Sequence, residues 1–315
     1  MTARNVLAGV ALVVALGATA CSSAATARPP AAAQLPAEPS TTRPRLQSGH
    51  TEWTATFVDS SRKTVPASGA VLPTRTLRTA IYRPNGAGPF PLIVFAHGMS
   101  GHPDKFTKLF SVWADAGFVV AAPAFPLTND HVADSDANVG DVEQQPADMS
   151  YVLDHVLALA RQDGNRLSGA IDEQHIGAGG LSLGGFTVYE LAFSACCRDA
   201  RVKAVEVLDG FRPGDVALDG HAPLLIAHSD TDPAIPFSTA RDAFRAAKPP
   251  AWFVTLHHAS HASQWENTVT PYDHVDERLS TDFWEATLGG DDAGFARLAR
   301  DASVRGLASI TEKPT

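Results

Sequence analysis

The residues with the clearest chemical potential lie in Gly180-Leu181-Ser182-Leu183-Gly184, a G-x-S-x-G pattern between the apolar run Ile176 to Ala178 and a helical pattern that starts at Leu183. A chain that reverses sharply from strand to helix thrusts its central serine out at the sheet edge, and glycines on either side permit the close approach. The helix behind it aims unpaired N–H groups at any negative charge that develops there. The chemistry this suggests is acyl transfer, with Ser182 as nucleophile and the Leu183 backbone N–H as one donor to the oxyanion. A dinucleotide-binding loop is the rival reading, because Gly177-x-Gly179 is present. Ser182, however, stands where that loop needs its third glycine.

A serine hydroxyl needs an imidazole to take its proton, and the imidazole needs a carboxylate to fix its tautomer. Two later segments supply these types. After the apolar run Leu224 to Ala227 comes His228-Ser-Asp-Thr-Asp-Pro-Ala-Ile-Pro236, offering Asp230 and Asp232; after Trp252 to Leu256 comes His257-His-Ala-Ser-His261. Asp209 also ends an apolar run and is a third candidate acid, while the two other histidines compete with His261 as base. Asp230 and Asp232 are equally suited to capping the helix that follows. His257 and His261, four apart, have metal-ligand spacing, but they follow a strand and no Glu motif accompanies them. No metal and no cofactor is expected.

These residues must be held by a sheet. Continuous apolar runs at Pro91 to Ala96, Phe118 to Ala122, Ile176 to Ala178, Val202 to Leu208, Leu224 to Ala227 and Trp252 to Leu256 suit strands buried on both faces. Two opening antiparallel strands are expected at 51–59 and 74–83. Helical patterns fall at 105–116, 146–160, 183–194 and 239–247, with more at 276–288 and 292–304. Strand alternating with helix predicts an α/β fold, a mostly parallel sheet covered by helices on both faces.

The chain order Ser182, Asp232, His261, each after a strand, is that of an α/β hydrolase. The region from about Thr51 to Gly289 resembles that superfamily, especially its dienelactone-hydrolase-like, platelet-activating-factor-acetylhydrolase-like and bacterial cutinase-like esterases. Asp232-Pro-Ala-Ile-Pro236 is similar to the D-x-x-x-P turn that carries the acid in that branch, and Ala259-Ser260-His261 to the A-S-H loop that carries the base. His97-Gly98-Met99-Ser100-Gly101 resembles the His-Gly oxyanion loop, which implies Met99 as the second oxyanion donor and a structural or cleft-lining role for His97. Cutinase-like members usually carry an aromatic residue where Met99 stands and Met where Leu183 stands. The resemblance implies an ester hydrolase acting on small acyl esters or lipids. Polyester, phospholipid or thioester cleavage, and peptide cleavage, use the same machinery, and a non-catalytic envelope lipoprotein that binds on a hydrolase fold is the reading from another class.

Between Leu127 and Asp148 lies a long acidic segment without Lys or Arg, expected to shape the substrate pocket. Its Asp134-x-Asp136-x-Asn138 lacks the glycine position and closing Glu of a calcium loop. At the N-terminus, Arg4 precedes an apolar run from Val6 to Ala20 that is too short to span a bilayer comfortably and reads as a signal peptide. Ala18-Thr19-Ala20-Cys21 resembles the bacterial lipobox, which implies lipidation of Cys21, with ordinary secretion as the alternative. Residues 1–20 are thus expected as a leader, 21–50 as the lipidated cysteine and a tether dominated by Ala, Pro, Ser and Thr, and 51–315 as the catalytic domain. The protein is expected at the cell envelope, anchored through an N-terminal lipid and monomeric. The 315 residues carry 25 Lys and Arg against 34 Asp and Glu, a net charge of −9 that gives no footprint for nucleic acid. Cys196 and Cys197 are expected as a small buried pair at a helix end, with a vicinal disulfide as the less favoured form.

Overall fold

The computed structural model describes residues 45–214 and 216–313, all within the unit Thr42–Thr315. The leader, Cys21 and most of the tether lie outside the described residues. Among the described residues nine strands form one sheet: β1 (Arg45–Asp59), β2 (Arg75–Ala87), β3 (Phe90–Ala96), β4 (Val119–Ala124), β5 (Ile171–Leu181), β6 (Val202–Leu208), β7 (Leu224–Ser229), β8 (Ala251–Leu256) and β9 (Ala308–Lys313). Their order is β1-β2-β4-β3-β5-β6-β7-β8-β9. The six strands from β4 to β8 run parallel, and β1, β2 and β9 add antiparallel edges. This is the expected α/β fold.

Buried parallel strands must be apolar on both faces, and β3 shows why its sequence is an unbroken apolar run. Leu92, Val94 and Ala96 face one core, while Ile93 and Phe95 face the other. The first core is closed by α2 (Gln145–Ala160), α3 (Leu183–Phe193) and α4 (Phe237–Ala246), through Met149, Val152, Val188 and Phe244. The second is closed by α1 (Thr107–Asp115), α5 (Asp273–Thr287) and α6 (Ala293–Asp301), through Phe110, Trp113, Trp284 and Leu298. Because β3 and β5 are neighbours, with Ala96 opposite Gly180, the loops leaving them meet at one edge.

Three features differ from expectation. The first strand starts at Arg45, inside the segment read as tether, because β2 also runs on to Ala87 and gives it a partner. A ninth strand follows the three-histidine loop, so β8 is not the last. Its residues Ala-Ser-Ile-Thr-Glu-Lys contain no apolar run, because only one face of an edge strand packs inward. Finally, Cys196 and Cys197 are joined as a vicinal disulfide, with Cys196 exposed, and are not a buried free pair. Helix α3 ends at Phe193, so both cysteines sit in the turn beyond it.

The long acidic segment is pinned by an ion group that sequence spacing does not reveal. Fully buried Arg75 on β2 donates to both oxygens of Asp141, at 2.8 and 2.9 Å, and to both oxygens of Asp148, at 2.8 and 2.6 Å. The bidentate pairing gives both carboxylates N–H donors, and Arg62, 2.8 Å from Asp148, supplies the second positive charge that two carboxylates require. Asp136 and Asn138 serve the same ordering role, taking hydroxyls from Ser68 and Ser135 and the Gly140 amide respectively.

One core residue makes stability depend on pH. Glu206 on β6 is fully buried, with the Ser280 hydroxyl on Oε2 at 2.9 Å and no partner for Oε1 among the described residues. Burial pushes its carboxyl from the ordinary 4.5 up to about 8. Between those values the folded protein keeps a proton that the unfolded chain has released, so this contribution is full below about pH 4.5 and is lost as pH rises towards 8. At roughly 1.4 kcal/mol per unit, the loss amounts to a few kcal/mol. Glu206→Gln is therefore expected to raise the melting temperature at pH 8.5 by roughly 5 °C, with little change at pH 5, as read by circular dichroism. An unchanged difference between the two pH values in the variant would contradict this.

Candidate active site

The turn from β5 into α3 places Ser182 at φ 56°, ψ −115°, a left-handed backbone that an L-residue adopts only when its surroundings impose it. The crossing is tight. A β-carbon at Gly184 would lie 1.9 Å from the Ala96 carbonyl oxygen, and one at Gly180 would lie 2.3 Å from the Gly184 oxygen. The two motif glycines are thus steric requirements. The result is a half-exposed hydroxyl at the N-terminus of α3.

His261 Nε2 lies 2.8 Å from Ser182 Oγ, and His261 Nδ1 lies 2.6 Å from Asp232 Oδ2. A carboxylate can only accept, so Nδ1 carries the proton and Nε2 is left bare toward the serine. The other carboxylate oxygen of Asp232 accepts from the Ala234 and Ile235 amides at 2.7 and 2.9 Å, which fixes its rotamer. The Asp232 side chain is buried and that of His261 is one-fifth exposed, so the hydrogen bond between them is shielded while the ring edge faces the cleft.

The rival candidates are placed elsewhere. Asp230 accepts from His257 Nδ1 at 2.9 Å and from the His258 amide at 2.8 Å, while His257 Nε2 meets Ser309. Those contacts hold the start of the loop that carries His261. Asp209 is buried and meets Gln264 and Trp265, not His261. His228 is buried between the two carboxylates, with Nε2 at 3.1 Å from the Ile235 oxygen and 3.5 Å from Asp232. Burial lowers its pKa and keeps it neutral. Asp209, His228 and Asp232 have ligand-type atoms within 4.8 Å of one another, but both carboxylates are already occupied by N–H donors. His102, Asp130 and His131 form a second such group, in which Lys105 stands 3.2 Å from Asp130.

The loop after β3 packs on the serine. A β-carbon at Gly98 would lie 3.0 Å from Ser182 Cβ. The backbone N–H groups of Met99 and Leu183 donate to no acceptor among the described residues. His97 is buried and structural. Its Nε2 accepts from the Phe125 amide at 3.0 Å and its Nδ1–H donates to the Gly98 oxygen at 2.7 Å. Burial lowers its pKa to about 4, so it stays neutral and keeps both bonds. The same loop is tied to the next segment by Ser100 N–H to Thr128 O, at 2.8 Å. Thr128 Oγ1 in turn accepts from buried Gln145, whose Oε1 accepts from Thr187 on α3. The acidic segment thus braces the loop through a polar network that nothing in the sequence pattern announced. It also lines a cavity of about 430 Å³ with Leu127, Asn129 and Arg78.

A parallel sheet covered on both faces, with a strained serine behind its central strand and an imidazole and carboxylate supplied by later strand ends, defines an α/β-hydrolase-type protein. The family model described as Chlorophyllase matches residues 41–215, more than half of the chain, and the chain belongs to that family of α/β-type ester hydrolases. A search of the curated proteins found no match.

Proposed function

We propose that the protein is an exported serine hydrolase that cleaves carboxylic esters through an acyl-enzyme intermediate. The observation that carries this reading is the continuous line from Ser182 Oγ through both His261 nitrogens to Asp232, at 2.8 and 2.6 Å. Ser182 Oγ attacks the acyl carbon as its proton passes to His261 Nε2. The new C–O bond puts negative charge on the carbonyl oxygen, which the Met99 and Leu183 N–H groups receive. The bond to the alcohol then breaks, and His261 returns the proton to the leaving oxygen. Water repeats the sequence: His261 takes its proton, the hydroxyl adds to the acyl carbon, and Ser182 leaves with the proton restored.

The substrate is read as a neutral, apolar ester. Met99 follows Gly98, which packs on Ser182, and is 41% exposed, offering an apolar surface for the acyl or alcohol group, and the net charge of −9 disfavours anions. The family name points to chlorophyll esters, which are apolar as well. The leader, the lipidated Cys21 and the envelope location belong to the same proposal and rest on the N-terminal sequence pattern. No helix among the described residues is long and apolar enough to cross a membrane.

The test is a panel of p-nitrophenyl esters from two to sixteen carbons alongside matched p-nitroanilides. Ester turnover at least about 10³-fold above the anilides is expected. Comparable rates on both would point to a peptidase, and no turnover of any ester by folded protein would support the non-catalytic binder.

A further inference from the structure

The strand end that does not supply the acid is not idle. Asp209 follows β6 directly, is fully buried, and holds φ 42°, one of four non-glycine residues among those described with a left-handed backbone. Its amide is fixed to the Ala227 oxygen at 2.8 Å. Its carboxylate accepts from three N–H groups that belong to two other segments. Oδ1 takes the Ser229 amide at 2.7 Å, and Oδ2 takes Gln264 Nε2 at 2.7 Å and the Trp265 indole at 2.5 Å. Ser229 starts the turn that carries Asp232, and Gln264 and Trp265 end the turn that carries His261.

These links close a frame. Ser229 Oγ donates to the Ala259 oxygen at 2.7 Å, and Gln264 also donates to the Ser260 oxygen at 2.8 Å, so both sides of the base loop are held to the same point. Burial, with the nearby Asp232 charge adding to it, pushes the Asp209 carboxyl well above its ordinary range, while the three donors pull it back. An acid kept at that electrostatic cost, whose hydrogen bonds all come from N–H groups of the acid and base turns and whose further polar neighbour is His228 Nδ1 at 3.9 Å, has geometry as its evident return. We propose, on the reading of the site given above, that Asp209 is a positioning residue: it acts through Gln264, Trp265 and Ser229 to hold His261 and Asp232 in register with Ser182.

Asp209→Asn keeps the shape but turns one acceptor into a donor, which must face either the Ser229 amide or the Gln264–Trp265 pair. A displacement of about 1 Å in the base is expected to lower kcat by about 10²-fold. KM should move less than about threefold, because Asp209 does not face the cleft. Rates are taken per serine labelled by a fluorophosphonate probe, so that a folding defect does not count. Gln264→Ala should lower kcat about tenfold, and adding Asp209→Asn to it should cost much less than in the wild-type background, since the two act on one loop. Should Asp209→Asn fail to fold, Gln264→Ala and Trp265→Phe carry the test through their own kcat loss and their mutual non-additivity. A labelled Asp209→Asn within twofold of wild type, fully additive losses, or normal kcat in both loop variants would overturn the proposal. Wild-type protein without ester turnover would instead overturn the hydrolase reading.

Discussion

Ser182→Ala is expected to lower ester turnover on the order of 10⁶-fold, because removal of a nucleophile that works as one unit with its base costs nearly everything the unit supplies. Residual rate above that of water comes from the oxyanion donors and substrate binding. The fold should be untouched. The hydroxyl makes one hydrogen bond, to a partly exposed imidazole, and the strained backbone is imposed by the Gly180–Gly184 crossing whatever the side chain. A melting temperature within about 3 °C of wild type, with turnover abolished, is the predicted pair of results. Retained turnover would contradict the assignment.

Asp232→Asn is expected to cost on the order of 10⁴-fold in kcat, since the wrong imidazole tautomer cannot take the serine proton. The reason is local. One oxygen of Asp232 is committed to the Ala234 and Ile235 amides, so the asparagine NH₂ must turn toward His261. There it meets Nδ1 as a donor, which moves the ring proton to Nε2. Asp230→Asn provides the contrast: its partners are His257 and the His258 amide, neither on the line to Ser182, and a loss below about tenfold is expected. Steady-state kinetics on one activated ester compare the two. Equal losses would mean that the carboxylates act by charge alone.

How much of this was legible follows from how far apart the interacting residues are in the chain. The turn that exposes Ser182 is legible because its requirement is local: a strand, two glycines and a helix within ten residues. Asp232 and His261 could be read as strand-end residues, and the choice over Asp230, Asp209 and His258 came from resemblance to known turns. The spacing itself did not decide it. Asp209 is legible as a strand-end carboxylate, but its partners Gln264 and Trp265 lie more than fifty positions later. The Arg75 ion group and the Gln145 network were invisible for the same reason, since an isolated Arg or Gln has no pattern that marks it as buried. Strand β9 escaped because an edge strand needs no apolar run. The bridge between Cys196 and Cys197 is not legible because adjacency does not distinguish a bridged pair from a buried one.

The most direct measurement is intact-mass and peptide analysis after reaction with a fluorophosphonate at neutral pH. The account predicts one equivalent of label on wild-type protein, located at Ser182, with no label on Ser182→Ala or on heat-unfolded chain. Folded wild-type protein that stays unlabelled under conditions that modify a known serine esterase, or a label located at another serine, would contradict it.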